Sequence, residues 1–248
     1  MAASDTHSET AGPPIRDAAT LVIVDRQGGA PRILLGRRRP DQVFLPNVFV
    51  FPGGRADDDD KVAPSADELA EAETALLQIP AEPGTETHSP AHARGLALAA
   101  IRETYEETGL LAGVQSPDVP SPEDLSPAWA AFAMHGVLPQ LSRLQYFLRA
   151  ITPRARPRRY DTRFFMVDAS AIAAKVAPAD DELSEVGWFS LAETERLEVP
   201  RMTKAAFREL GAIFHVGLSP PNVRRVPFYF EQQGIMQRAE LSLGEHRS

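Results

Sequence analysis

The stretch from Ser89 to Gly109 constrains this chain more than any other, because it marks its own boundaries and carries its charge on one side. Ser89-Pro90 offers an N-cap hydroxyl followed by a first-turn proline, and Gly109 is the residue that best ends a helix in the left-handed conformation. At 100° per residue, Glu103, Glu106 and Glu107 fall within one arc of about 100°, with Arg102 beside Glu106. Ala97, Ile101, Thr104, Tyr105 and Thr108 take the opposite side. Like charges so spaced cost about 0.2–0.5 kcal/mol each on an exposed helix. A hard divalent cation removes that cost: Mg²⁺ prefers carboxylate oxygen, keeps several waters and is usually shared with substrate phosphates. The charge pattern alone also fits a solvated acidic face with an Arg102–Glu106 ion pair.

Around this helix the pattern is that of an α+β sandwich with a mixed sheet. Leu21 to Val24 and Arg32 to Leu35 suit a β-hairpin, and a third strand runs from Val48 to Phe51 until Pro52-Gly53-Gly54 stops it. Ser65-Ala66-Asp67-Glu68 has capping-box form and is expected to open a short helix ending near Ile79-Pro80, with a loop from Ala81 to His88. Leu144 to Ile151, Arg163 to Val167 and a shorter run from Gly187 read as strands, and Thr203 to Phe214 as an amphipathic helix. No internal repeat and no regular βαβ rhythm is visible. The expected organisation is one domain over residues 18–233. A disordered tail precedes it, residues 1–17, rich in Ala, Ser, Thr and Pro, and a loose tail follows, residues 234–248.

Composition excludes several classes. The net charge of −8 argues against a general nucleic-acid binder. Without cysteine there is no disulfide, thiolate metal site or cysteine nucleophile. No run approaches the roughly 18 apolar residues of a membrane span, and the N-terminus lacks a signal-peptide pattern, so a soluble cytoplasmic protein is expected. A homodimer is compatible with all of this. The six histidines, His7, His88, His92, His135, His215 and His246, are assigned to surface or satisfied core positions.

Arg102-Glu103-Thr104-Tyr105-Glu106-Glu107-Thr108-Gly109-Leu110 resembles the second half of the Nudix box, departing only at Thr104, where an aliphatic residue is usual. The lead of the first half, Phe-Pro-Gly-Gly, is present as Phe51 to Gly54, and Asp60 follows six positions after Gly54. In an uninterrupted box the acidic residue lies eight positions before the arginine. Asp60 lies 42 before Arg102, so the box is split by an insertion, Lys61 to Arg94. The same interruption occurs in a Nudix subgroup that contains the peroxisomal coenzyme A diphosphatase type, and Arg159 to Phe165 resembles a segment of that subgroup. The resemblance spans roughly residues 18 to 215.

What the resemblance implies is a Nudix-type α/β/α sandwich and a Mg²⁺-dependent hydrolase, with Mn²⁺ as a substitute, cutting a diphosphate linkage in a nucleotide-like small molecule. Coenzyme A, ADP-ribose, NADH and dinucleotides form the class. Glu103, Glu106 and Glu107 would hold the metal, with the Gly53 carbonyl as a further ligand. Asp60, one methylene shorter than the usual glutamate, or Asp57 would complete the set, and Arg102 would fix the glutamates. The general base would be Glu182, then Glu185, in the loop before Trp188, or a box glutamate. Two arginine clusters, Arg37-Arg38-Arg39 and Arg154, Arg156, Arg158, Arg159, suit phosphate. Arg38 leads the substrate-binding candidates, followed by Arg37, Arg159 and Arg163. Leu34, Leu35 and Arg38 fit the coenzyme A-recognition stretch, whereas Gly36, Val43 and Asn47 depart from it. The C-terminal Glu245-His246-Arg247-Ser248 is not a peroxisomal address. The main rival is a non-catalytic Nudix-fold nucleotide sensor, a type that typically loses box glutamates. Residues 61 to 94 read as an excursion whose removal leaves the two halves of the box together.

Overall fold

A computed structural model describes residues 13–42, 45–81 and 87–243 of the chain. The first half contains β1 (Ile15–Asp25), β2 (Arg32–Arg38), β3 (Phe49–Val50), β4 (Gly53–Arg55), α1 (Glu71–Leu77), α2 (Pro90–Thr108), β5 (Leu110–Ala112) and β6 (Val114–Gln115). It continues with α3 (Pro127–Met134), β7 (Val137–Leu138), β8 (Gln145–Ile151), β9 (Arg159–Asp168), β10 (Ile172–Lys175) and β11 (Leu183–Ser190). The last elements are α4 (Leu191–Thr194), α5 (Arg201–Val216), β12 (Val226–Gln232) and β13 (Ile235–Leu241).

The main sheet has the order β11-β2-β1-β9-β8-β12-β13, with β3 on β2 and β4 on β1, and it is mixed. β1 runs parallel to β9 and β8 parallel to β12, while the other neighbours are antiparallel. β1 is central and buried from Ala18 to Val24, as a strand covered on both faces must be. The period of two then sorts its side chains. Ala19, Leu21 and Ile23 pack toward α2, and Val22 and Val24 pack toward Ala206 and Leu210 of α5. Helices on both faces of one mixed sheet make the α/β/α sandwich that the sequence implied.

α2 has the expected caps. Ser89 Oγ accepts from the His92 N–H at 3.1 Å, and Gly109, at φ 72°, donates to the Tyr105 carbonyl. Its alanines, Ala93, Ala97, Ala99 and Ala100, are fully buried, so the helix lies close against the sheet.

Four boundaries differ from the sequence reading. β1 starts at Ile15, inside the expected N-terminal tail, because Asp17 is held by Arg163; the tail before Pro13 lies outside the described residues. The expected loose C-terminus instead pairs as β13 with β12 along its whole length, and only residues after 243 lie outside the description. The capping-box residues open no helix. Ser65 and Glu68 bond to each other, Asp67 binds the Ser142 N–H, and α1 begins only at Glu71. β11 starts four residues earlier than expected, so it takes in Glu185. Val43 and residues 82–86 of the expected loop lie outside the described residues.

Candidate active site

Arg102 gathers the box. Its Nε and Nη2 donate to the two carboxylate oxygens of Asp60 at 2.8 and 3.0 Å, although 42 positions separate the residues. Nη1 donates to Glu103 at 2.9 Å and to Glu106 at 2.6 Å, and Nη2 also donates to the Arg55 carbonyl at 2.8 Å. A guanidinium has five N–H donors, and all five are engaged. Asp60 is fully buried, and one of its oxygens also accepts from the Asp57 N–H at 2.9 Å. Asp60 and the α2 motif therefore meet in space. Asp60 is correspondingly a positioning residue turned to Arg102, not the metal ligand expected from sequence. Asp57 stands outside this pairing, 3.8 Å from Arg102 and bonded to Arg55 at 2.6 Å.

The Pro52-Gly53-Gly54 turn sits directly on the glutamates. The Gly53 N–H donates to Glu107 at 3.0 Å. A Cβ at Gly53, φ +156°, would overlap the Ala19 carbonyl and Thr20, and one at Gly54 would overlap the Glu103 carboxylate. Only glycine permits this approach.

Burial dominates the electrostatics of the carboxylates. It pushes Glu103 up to about 7, against the pull of Arg102 and with the push of Glu106. It raises Glu106 in the same way, with Asp180 and Asp60 adding to it. Glu107, only 3% exposed, is raised well above the usual carboxylate range, first by burial and then by the charges of Glu182 and Glu103, with the Gly53 N–H opposing. Several acidic groups are thus packed together, with Arg102 bonded to Glu103 and Glu106. That is the donor set a divalent cation fits: oxygen-only, anionic, partly desolvated and backed by a second shell.

Glu182 faces this cluster and Glu185 does not. Glu182 forms an ion pair with Arg38 at 2.5 Å, and a bulge between Leu183 and Glu185 lies next to it. Glu185 lies on the exposed edge, 3.9 Å from Arg37, whose guanidinium covers the Phe49 ring. The loop carrying Glu182 is tied to the end of α2: Val176 donates to the Gly109 carbonyl and Asp180 to the Glu106 carbonyl. Asp180, half-buried, is held above the usual carboxylate range by burial and accepts from the Glu182 N–H. Sequence reading passed over Asp180. The available signal was its place at the head of the Asp-Asp-Glu run.

Two of the expected substrate arginines are elsewhere. Arg163 is fully buried and bonded to Asp17 at 2.6 Å, the Asp161 carbonyl at 2.8 Å and His88 at 3.0 Å, so it cannot meet a substrate. Arg159 bonds the Thr152 carbonyl at the far end of β9. Asp17, His88 and His92 bring potential ligand atoms within 4.8 Å of one another, a grouping that the spacing of the histidines in the sequence did not show. Arg163 already supplies the cation there, and the two imidazoles stack at 4.1 Å.

No family model matches the chain and no curated protein matches it. Among solved structures, the chain superposes on a Nudix hydrolase from Alicyclobacillus acidocaldarius with a TM-score of 0.58 and 28% identity, over 86% of this chain and 95% of that one. It also superposes on the Nudix domain of Shewanella oneidensis NrtR complexed with ADP ribose, with a TM-score of 0.45 and 12% identity over 84% and 93%. A third match is the M. smegmatis Nudix hydrolase RenU, with a TM-score of 0.44 and 16% identity over 83% and 89%. The fold and the first of these likenesses support a hydrolase of the Nudix type. No helix among the described residues is long and apolar enough to cross a membrane.

Proposed function

We propose that this chain is a Mg²⁺-dependent Nudix hydrolase of the split-box subgroup that cleaves the diphosphate linkage of a nucleoside-diphosphate-type small molecule. The observation that carries the reading is the convergence of Asp60, Glu103 and Glu106 on the single Arg102 across a 42-residue gap. A merely solvated acidic face has no reason to bury that arrangement.

Glu103, Glu106, Glu107 and the Gly53 carbonyl would hold the metal. When bound, Mg²⁺ supplies charge neutralisation of the bridging phosphates and acidifies coordinated water. The chain's own residues do the rest. Arg102 fixes Glu103 and Glu106 in one orientation, and Asp60 fixes Arg102. Glu182, steered by Arg38, accepts the proton of the attacking water, and Asp180 supports the Glu182 backbone. Arg38 exchanges between Glu182 and substrate phosphate, which places a cation beside the leaving group.

The substrate class is tested by incubating the protein with Mg²⁺, then with Mn²⁺, and coenzyme A, ADP-ribose, NADH and dinucleoside polyphosphates, and identifying the products. Turnover of at least one of them is expected, and Glu106→Gln is expected to lower kcat by about 10³ while circular dichroism stays unchanged. Binding of these compounds without any cleavage would replace this reading with the nucleotide sensor.

A further inference from the structure

The same reasoning that asks for a cation over the glutamates asks for an anion at another place. A cavity of about 350 Å³ lies beside the starts of β1 and β9, lined by Arg16, Arg158, Arg159, Tyr160 and three prolines. It contains three guanidinium groups and not one carboxylate, in a chain whose net charge is −8. Several arginines elsewhere on this surface have carboxylate partners: Arg26 with Asp168, Arg39 with Asp41, Arg55 with Asp57, Arg94 with Glu68 and Arg238 with Glu209. Among the described residues, Arg16 and Arg158 have no such partner.

The backbone holds these charges together. Parallel pairing sets Ile15 beside Arg159 and Arg16 beside Tyr160, and Arg159 is steadied by the Thr152 carbonyl at 3.1 Å. Paired positions share a face, so Arg159 stands with Ile15 and Arg16 with Tyr160, and the three guanidinium groups meet only in the lining of the cavity at the strand ends. Prolines, with their fixed φ, stiffen both walls. Three arginines lining one cavity on a stiff frame form a preorganised anion site, and the planar guanidinium fork matches the oxygens of a phosphate.

We infer that this cavity binds a phosphomonoester or inorganic phosphate dianion, at a site separate from the carboxylates that would act on the diphosphate. Arg16 is four positions along β1 from Thr20, the partner of Gly53, which is roughly 13 Å at 3.3 Å per residue. That span lets the dianion be either a free ligand or a second phosphate on the substrate itself. Arg154 and Arg156, exposed in the same turn, extend the positive field around the mouth of the cavity.

Binding is read directly, so the test does not depend on catalysis. Inorganic phosphate is titrated into the full-length protein by isothermal calorimetry and ³¹P NMR without metal, in parallel with chloride at matched ionic strength. The wild type is expected to bind phosphate above the chloride background, and the Arg158→Ala/Arg159→Ala double variant to bind it roughly tenfold or more weakly. Arg16→Gln, a change on an exposed side chain, should weaken binding in the same direction and guards against a folding artefact in the double variant. Where turnover of dinucleotides is present, NADPH is compared with NADH. A kcat/KM preference for NADPH that the double variant abolishes assigns the site to a second substrate phosphate, and equal loss of phosphate binding without any such preference assigns it to a free ligand. Phosphate binding no stronger than chloride, or unchanged in both variants, would overturn the inference.

Discussion

Arg102 is the residue on which the site turns. With its five donors engaged by two neighbouring glutamates, a fully buried aspartate and a carbonyl, its guanidinium is held firmly protonated. Burial works against the charge, and Asp60, Glu103 and Glu106 outweigh it. Arg102→Ala leaves the Asp60 carboxylate buried without a cation, so a loss of about 3–5 kcal/mol is expected in denaturant unfolding, along with loss of activity. An unfolding midpoint within error of wild type would contradict that role. His88 gives a second residue-scale expectation. Burial, and then the Arg163 and His92 charges, push its imidazole down to about 4 from 6.5, against the pull of Asp17. The folded state therefore takes up this proton less readily than the unfolded one. Its contribution is complete above about pH 6.5 and is lost as the pH falls toward 4. Discounted for partial exposure, it amounts to about 1–2 kcal/mol. His88→Gln should flatten the stability profile between pH 6.5 and 4, and a parallel, merely shifted profile would show that His88 does not carry the slope. That Asp60 lies beside the α2 motif was legible in the sequence because motif spacing encodes it, whereas its pairing with Arg102 was not, since a carboxylate is equally suited to a metal. The burial of Arg163 was not, since nothing local distinguishes an arginine facing Asp17 and His88 across the sheet from one facing phosphate.

At the level of elements, the segment Lys61 to Arg94 is the main surprise. Read from sequence it is an excursion. In the structure Ala63, Leu76, Leu77, Ile79 and Ala93 are part of the core beneath α2. Glu73 of α1 is buried against Arg224, at 2.7 Å, and also accepts from the Tyr146 N–H at 3.3 Å. The Ile79 carbonyl takes a bond from the buried Arg149. The expectation that residues 61–94 can be removed with the fold intact is therefore reversed: the deletion should yield insoluble or unfolded protein, because Arg149 and Arg224 would lose partners inside the core. Glu73→Ala, which tests the same contact with one atom group, should cost about 3–5 kcal/mol by thermal or chemical denaturation. A soluble, cooperatively folding deletion variant would show the segment to be dispensable. Capping-box residues misled the sequence reading here, since Asp67 is drawn to Ser142, 75 positions away, and tertiary pairing overrides a local signal. The α2 caps were legible because the capping bonds of Ser89 and Gly109 are made within their own helix. The element after β10 carries the remaining expectation. Glu182→Gln should flatten the alkaline-side gain in rate more than Glu185→Gln, since only Glu182 bears on Glu107. Equal effects in pH–rate profiles would return the base to α2.

The main mixed sheet is closed over by α2 and α5, and its central pair, β1 with β9, joins strands from opposite halves of the chain. The unbroken apolar run of β1 and the amphipathic pattern of α5 announced the layers, whereas no local signal announced that β1 would lie beside β9 instead of within a simple meander. Ten residues of β1 run in continuous register with β9, from Ile15 opposite Arg159 to Val24 opposite Asp168. A ribosome adding about 5–20 residues per second needs on the order of ten seconds or more to go from the first strand to the second. Through that interval Ala18 to Val24, an apolar strand buried on both sides in the finished sheet, has no permanent neighbour except the early hairpin with β2 and β4. The nascent chain thus passes through a stage in which an open strand edge is exposed in the cell, and its yield will depend on how quickly translation delivers the segment around Phe164 and on what shelters β1 until then.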